Sequence, residues 1–381
     1  MNAPRPRGAR MLAALGVALI VTCAVPAFAR AEGAGGWVCP PCGASCDTIH
    51  FDHAGTCPQC GMKLVEAASA AAQAPSDRKK VAILVFEGVE IIDFSGPYEM
   101  FGASGAEVFT VGASKTPVTS SMGLTIVPRY TFADAPRADV IVVPGGAVKA
   151  TSEDAATLAW LRDASARSQQ TMSVCNGAFI LARAGMLDGL TATTTSGNID
   201  RLAREFPKTK VVRDKRYVDN GKIITCGGLS AGIDGALHVI SKLHGRGTAQ
   251  GVALSEEYAW DPDGGFARAA LADREIPDVD LDQLGRWNVV STEGTTTQWR
   301  LALTGESKLS ATDLAARVAT TFESAGKWKP AAVPANAKNA TARAWTFTGN
   351  DGKPWRGQLQ LREIQGKPGH YDAEMTVERA S

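Results

Sequence analysis

Between residues 80 and 266 the apolar positions fall into two alternating patterns. The continuous apolar run Val81 to Phe86, and the mainly apolar segments Glu107 to Gly112, Ala138 to Gly146 and Thr171 to Val174 that repeat its theme, are what strands buried on both faces carry. The segments between them, such as Glu153 to Ala166 and Phe179 to Ala184, space their apolar residues as helices do. Alternating strands and helices predict an α/β domain, a three-layer sandwich around a mainly parallel sheet. Beyond about residue 275 the period shortens to two. Trp287/Val289, Trp299/Leu301/Leu303, Trp345/Phe347, Leu359/Leu361 and Tyr371/Ala373/Met375/Val377 read as strands, and Ser310 with Asp313 caps a helix carrying Leu314, Val318 and Phe322. This predicts a small α+β domain over residues 275–381 in the order ββαβββ, with no catalytic constellation of its own.

The sharpest change of pattern is TMSVCNGAFILARAGML, Thr171 to Leu187, where a buried strand stops at Cys175 and becomes a helix at once. Asn176-Gly177 supplies the small residues such a turn needs. A side chain at that elbow stands beside helix N-terminal N–H groups, an environment that favours a thiolate. The same cysteine also reads as a small core residue. Ligands of parallel sheets bind beyond the carboxyl ends of the strands, which is where Asp93, Gly145-Gly146 and Cys175 all fall.

Composition narrows the setting. The chain has 381 residues, 45% hydrophobic, with a net charge of +1. With no long basic run it is not expected to bind nucleic acid. Residues 1–29 read as a signal peptide: Arg5, Arg7 and Arg10 precede an apolar stretch from Met11 to Val25, too short to span a bilayer comfortably, and Ala27-Phe28-Ala29 offers a cleavage site. The expectation is a periplasmic or secreted protein with no membrane association after cleavage. Removing Cys23 from the eight cysteines leaves an odd seven, so at least one thiol is unpaired, metal-bound or bridged to another chain.

Residues 37–65, WVCPPCGASCDTIHFDHAGTCPQCGMKLV, carry two C-x2-C pairs, Cys39/Cys42 and Cys57/Cys60, at a spacing suited to four thiolates around one ion. A module this small needs a staple, metal or disulfide. Four sulfurs select zinc or another soft metal. Cys46, His50 and His53 are spare ligands at most and read rather as structural or solvent-facing residues. Residues 66–79, rich in alanine, form a linker.

Two resemblances add to this reading. GTCPQCGMKL resembles the second knuckle of the heavy-metal-binding domain of bacterial metal-handling proteins, with Cys42 where that family often has histidine. VAILVFEGVEIIDFSGPYEMF, DVIVVPGG, SVCNGAFILARAGMLDG and ITCGGLSAGIDGALHVI, in that order, resemble the ThiJ/PfpI superfamily with its class I glutamine-amidotransferase-like fold, and more closely its isonitrile-hydratase-like branch. The resemblance implies a nucleophile at Cys175, an acid/base at Asp93, and an oxyanion site from Gly145, Gly146 and the N–H of Asn176. Read without it, Asp93 is an N-cap and the glycines are a tight turn. Two departures stand out: Asn176 follows the cysteine where threonine is common, and ATTTSG puts Thr195 where relatives commonly have histidine. The implied function is a cysteine hydrolase or hydratase acting on a small-molecule substrate with a C–N bond, an amide, nitrile or isonitrile, with no cofactor in the central domain and a possible homodimer. The other reading is a non-catalytic protein responsive to redox state or heavy metal, in which Cys226, ending the strand KIITC, pairs with Cys175 or is a buried core residue.

Overall fold

The computed structural model describes residues 36–39, 46, 49–67, 78–264, 266–324, 326–333 and 341–380. The signal peptide at residues 1–29, most of the linker at 66–79 and Cys42 lie outside the described residues. The chain divides at Ala74/Pro75 into two units.

In the first unit, β1 (Trp37–Val38), β2 (His50–Phe51) and β3 (Val65–Glu66) form a three-stranded antiparallel sheet in the order β2-β1-β3. Its apolar core is small: Cys39, Cys46, Cys57 and Leu64, with Trp37, Ile49, Phe51 and Met62 against them. Three of those four buried residues are cysteines, so the interior of this module is largely sulfur.

The second unit opens with the central α/β domain. Its strands are β4 (Lys80–Leu84), β5 (Glu107–Gly112), the hairpin β6 (Val118–Thr119) and β7 (Thr125–Ile126), β8 (Tyr130–Thr131), β9 (Val140–Val143), β10 (Gln170–Val174), β11 (Thr191–Ala192), β12 (Lys210–Val211), β13 (Tyr217–Asp219) and β14 (Ile223–Cys226). Its helices are α1 (Ile91–Ala103), α2 (Lys149–Glu153), α3 (Ala155–Arg167), α4 (Gly177–Arg183), α5 (Ile199–Glu205), α6 (Ala231–His244) and α7 (Arg246–Ser255). The main sheet runs β13-β14-β10-β9-β4-β5-β8, parallel except for β13. One face packs on α1 and α6, with α7 behind them, and the other on α3 and α4, which gives the three layers expected. Burial on both faces explains the apolar runs: all four residues of β9 are buried, as are four of the five in β4 and in β10. The chain begins the sheet at β4, adds β5 on one side, then builds out through β9, β10 and β14 on the other. Strand order therefore reverses at β4, and the crevice at its carboxyl end is where such folds place ligands.

The C-terminal domain is a six-stranded antiparallel sheet, β15 (Arg286–Gly294), β16 (Gln298–Glu306), β17 (Lys329–Pro330), β18 (Thr341–Thr348), β19 (Pro354–Glu363) and β20 (His370–Arg379), in the order β15-β16-β20-β19-β18-β17. Helix α8 (Ala311–Ser324) packs on β18 and β19. Burial alternates along β19 and β20, as it must where one sheet face is covered and the other meets water. Relative to the expected ββαβββ order the structure adds β17. Two residues ending in proline at a sheet edge carry no alternation a sequence pattern can register. Among the described residues no helix is long and apolar enough to cross a membrane.

Candidate active site and metal centre

The elbow at Cys175 is built by glycine and by strain. Cys175 itself has a φ of 56°, a left-handed backbone unusual for a residue with a Cβ. Its N–H donates to the carbonyls of Cys226 (3.2 Å) and Gly227 (2.9 Å), and its carbonyl accepts from the Thr194 hydroxyl at 2.7 Å. Three bonds to the neighbouring strand and loop hold the strained residue in place. Gly177 opens α4 so close to β9 that a Cβ there would lie 2.0 Å from the Val143 carbonyl oxygen. Only glycine permits that approach.

Asp93 reaches the same point from the first turn of α1. The helix is entered through Glu90, and Asp93 does not cap it. Its carboxylate points instead into the crevice, where Oδ2 accepts from Gly145 N and Oδ1 from Leu229 N, both at 3.1 Å. The N-cap reading of Asp93 is thereby replaced. Asp93 is fully buried, and burial pushes its pKa up to about 7 against the pull of the two N–H groups and of the Cys175 thiol hydrogen-bonded to it. The Cys175 thiol is pushed up to about 12, first by burial and then by the Asp93 charge; the Asn176 N–H and the Thr195 hydroxyl, both directed at the sulfur, oppose this. At neutral pH the resting pair is therefore a thiol beside a carboxyl group poised between its two protonation states.

Gly145 sits between the two. A Cβ on it would come within 2.7 Å of Asp93 Oδ2, 2.8 Å of Cys175 Cβ and 2.6 Å of Asn176 N. Its N–H is committed to Asp93, which corrects the expectation that it helps bind an oxyanion. Gly146, at φ 113°, turns its peptide so that its carbonyl accepts from Val148 N (3.0 Å) and from Asn176 Nδ2 (3.1 Å). The Asn176 side chain is thus tied into the scaffold, with its Oδ1 accepting from Asn198 Nδ2 at 2.8 Å. The backbone N–H of Gly146 remains as a donor available to a developing negative charge, whereas that of Asn176 is directed at the Cys175 sulfur. Beside them a cleft of about 440 Å³ opens, with Phe179, Arg183, Arg201 and Phe206 among its walls.

Sequence reasoning did not find Leu229 or the network behind it. Leu229 has a φ of 58° and is followed by Ser230, whose Oγ accepts from Arg216 Nη2 at 2.9 Å. Arg216 also pairs with buried Asp234, which accepts from Tyr258 Oη at 3.0 Å, and its carbonyl accepts from Gly227 N at 2.9 Å. The glycine pair in GGLSAG was the one visible signal for this loop. Thr195 takes the position at which the resemblance implied histidine, and its hydroxyl can donate to sulfur but cannot serve as a base near neutral pH.

Cys226 is not placed to partner Cys175. It pairs in register with Val174, it is fully buried, and its Sγ lies under α6 so tightly that a Cβ on Gly235 would come within 2.2 Å. Burial drives its thiol well above the ordinary range. Cys226 is therefore a core residue and not a redox partner of Cys175. His238 binds Asp219 at 2.9 Å and stacks on Tyr217, away from the crevice.

In the first unit the sulfurs of Cys39, Cys46, Cys57 and Cys60 lie within 4.8 Å of one another, with Cys39 and Cys60 at 3.2 Å. Four thiolates at about 2.3 Å from a tetrahedral ion stand about 3.8 Å apart, so this set fits a metal. Cys46, expected to be structural or solvent-facing, belongs to it and is buried in the sulfur core. His50 and His53 are exposed and outside the cluster. A backbone N–H from Met62 lowers the Cys60 thiol to about 7, whereas burial and the neighbouring sulfurs raise Cys39.

A profile of the DJ-1/PfpI family matches residues 79–242, and one of the heavy metal binding domain matches residues 37–67. The isonitrile hydratase of Pseudomonas putida is 41% identical over 188 residues, 48% of this chain and 80% of that protein. The HTH-type transcriptional regulator GbdR of Pseudomonas aeruginosa is 28% identical over 161 residues, 42% of this chain and 43% of the regulator. The crystal structure of a ThiJ/PfpI family protein from Pseudomonas syringae matches with a TM-score of 0.45 and 38% identity, over 49% of this chain and 78% of that one. The chain belongs to the DJ-1/PfpI family, and it carries a heavy metal binding domain at its N-terminus.

Proposed function

We propose that the central domain is a cysteine-dependent hydratase or hydrolase for small C–N substrates, with isonitriles foremost. The observation that carries this is the Asp93 carboxyl at the Cys175 thiol with a pKa of about 7, a proton acceptor and donor matched to neutral pH. Cys175 is only 7% exposed, so a substrate must be small or slender at its reacting end. With an isonitrile, sulfur adds to the terminal carbon while Asp93 takes the thiol proton and passes it to that carbon, giving a thioimidate. Asp93 then takes a proton from the attacking water and gives it to the nitrogen; the C–S bond breaks as the proton of the new hydroxyl passes to sulfur, which restores the thiol and leaves the N-substituted formamide. The N–H of Gly146 would stabilise the negative charge that develops as water adds, while the Asn176 N–H supports the sulfur as it gains charge.

The redox-sensing alternative fits less well. Sensor cysteines are exposed and of low pKa, whereas Cys175 is buried and pushed up to about 12. For the first unit the reading is a zinc site, because four thiolates suit zinc or Cu(I) better than a harder ion. The basic and apolar segments before Ala29 support export to the periplasm or beyond, which mass analysis of the mature N-terminus would check.

The test is turnover of small isonitriles, nitriles and amides by wild type and Cys175→Ala, with product identified by NMR. Activity should appear for one class, rise with pH through about 7 as Asp93 ionises, and vanish in the variant. A folded wild type silent on all three classes would sink the proposal.

A further inference from the structure

The cleft of about 440 Å³ beside the reacting centre has charged walls, and its length is set by one helix. Asn176, the N-cap of α4, Phe179 and Arg183, the last residue of that helix, all line it. Their spacing of three and then four puts them on one helix face, and at 1.5 Å per residue Arg183 stands about 10 Å from the elbow. Arg201 of α5 and Phe206, which ends that helix, line it as well. The reacting end of the cleft is Asn176 with Gly146, and the volume is that of a small-molecule site.

Two rings join α4 to α5, and each carries a guanidinium. Phe179 and Phe206 meet edge to face with centroids 6.1 Å apart; Arg201 lies 4.7 Å from the Phe179 centroid and Arg183 lies 5.2 Å from that of Phe206. A ring face attracts a cation and holds its side chain without neutralising it.

The charges lining the cleft leave one cation over. Lys149 and Glu153, the first and last residues of α2, offset one another in sign, and Arg201 Nε donates to Glu205 Oε1 at 2.7 Å. Arg183 is exposed and, among the described residues, is held by the Phe206 ring and by no ion pair. Its planar fork of N–H donors matches a carboxylate, which would neutralise the surplus charge.

We infer that the site takes a monoanionic substrate, a carboxylate joined by a slender spacer to the reacting group, with Arg183 receiving the carboxylate while the other end lies at Gly146 and Cys175. The inference rests on the reading of Cys175 as the nucleophile, and it makes Arg183 the specificity-determining residue. The narrow access to Cys175, 7% exposed, requires the spacer to be unbranched near the reacting carbon.

The test offers the full chain ω-isocyanohexanoate, long enough to span the cleft, and its methyl ester. The acid should exceed the ester in kcat/KM by about tenfold or more, the worth of a charged hydrogen bond, with the gain in KM. Arg183→Met should bring that ratio to about one, and Arg183→Lys, which keeps the charge and loses the fork, should fall between. Isocyanoacetate, too short to reach both ends, should gain nothing over its own methyl ester. Calorimetry with unreactive hexanoate separates binding from chemistry: wild type should bind it saturably and about tenfold or more tighter than Arg183→Met does. If hexanoate behaves so and no isonitrile is turned over, the carboxylate site stands and the reading of Cys175 falls. An acid no better than its ester, a preference that survives in folded Arg183→Met, a short acid favoured as strongly as the long one, or no saturable hexanoate binding would each overturn the inference.

Discussion

The N–H of Leu229 donates to Oδ1 of Asp93 at 3.1 Å, joining residues 136 positions apart in the chain. The bond gives the Asp93 carboxylate one of its two backbone donors and ties its proton affinity to the loop after β14. That loop is held by Arg216, through its carbonyl to Gly227 and its guanidinium to Ser230 and Asp234.

Arg216→Lys keeps a charge beside Asp234 but cannot span both partners. With the loop loosened, Asp93 should titrate higher than in wild type by as much as about one pH unit, the equivalent of one hydrogen bond. A ¹³C titration of the carboxyl group reads this directly. A purely structural role would lower the melting temperature and leave the titration where it was.

Asp93 also predicts a pH dependence of stability. Its folded pKa, about 7, stands above its ordinary 3.8, so the protonated form is the one the fold favours. The stability this contributes is complete below about pH 4 and is lost as pH rises through about 7, a change on the order of a few kcal/mol. Asp93→Asn should flatten that portion of the stability curve. The comparison is between slopes from pH 4 to 8, since the amide also disturbs one of the two N–H contacts. Parallel curves for wild type and variant would refute the assignment.

Glycines in this domain should divide sharply by position. Gly177→Ala places a methyl group 2.0 Å from the Val143 carbonyl and should cost about 3 kcal/mol or more as the elbow is pushed off β9. Gly102→Ala, in α1 with nothing within 4 Å of the new Cβ, should stabilise by about 0.5–1 kcal/mol. Urea unfolding of both variants gives the comparison.

In the first unit, Cys46→Ser should weaken metal binding as much as Cys39→Ser does, measured by competition with a chromophoric chelator. A negligible effect of Cys46→Ser would remove it from the ligand set. Stripping the metal should unfold this module, whose buried core is mostly cysteine, while the melting transition of the central domain stays unchanged.

Much of this site is written in short segments. Buried strands declare themselves by apolar runs, and a cysteine between such a run and a helical pattern marks an elbow, so the positions of Cys175, Gly145 and Gly146 at the strand ends were legible locally, while their roles came from the family resemblance. Placing Asp93 needed more: locally it is indistinguishable from a cap, and only the tertiary position of α1 turns its carboxylate toward Gly145 and Leu229. Leu229 was illegible because it acts through its backbone N–H, a group every residue but proline carries. Cys46 was missed for a related reason. C-x2-C spacing draws attention to pairs, whereas Cys46 stands outside both pairs and joins the cluster only in three dimensions.

The left-handed backbone of Cys175 sets durability against reactivity at a single residue. Glycine there should give a domain sturdier than the alanine variant by roughly 0.5–1 kcal/mol, since it alone adopts φ 56° without penalty. Either substitution leaves the crevice chemically silent. A sequence drifting toward thermal robustness alone would therefore erase its sulfur first, and thermostabilised versions of this domain should be screened for thiol content before melting temperature.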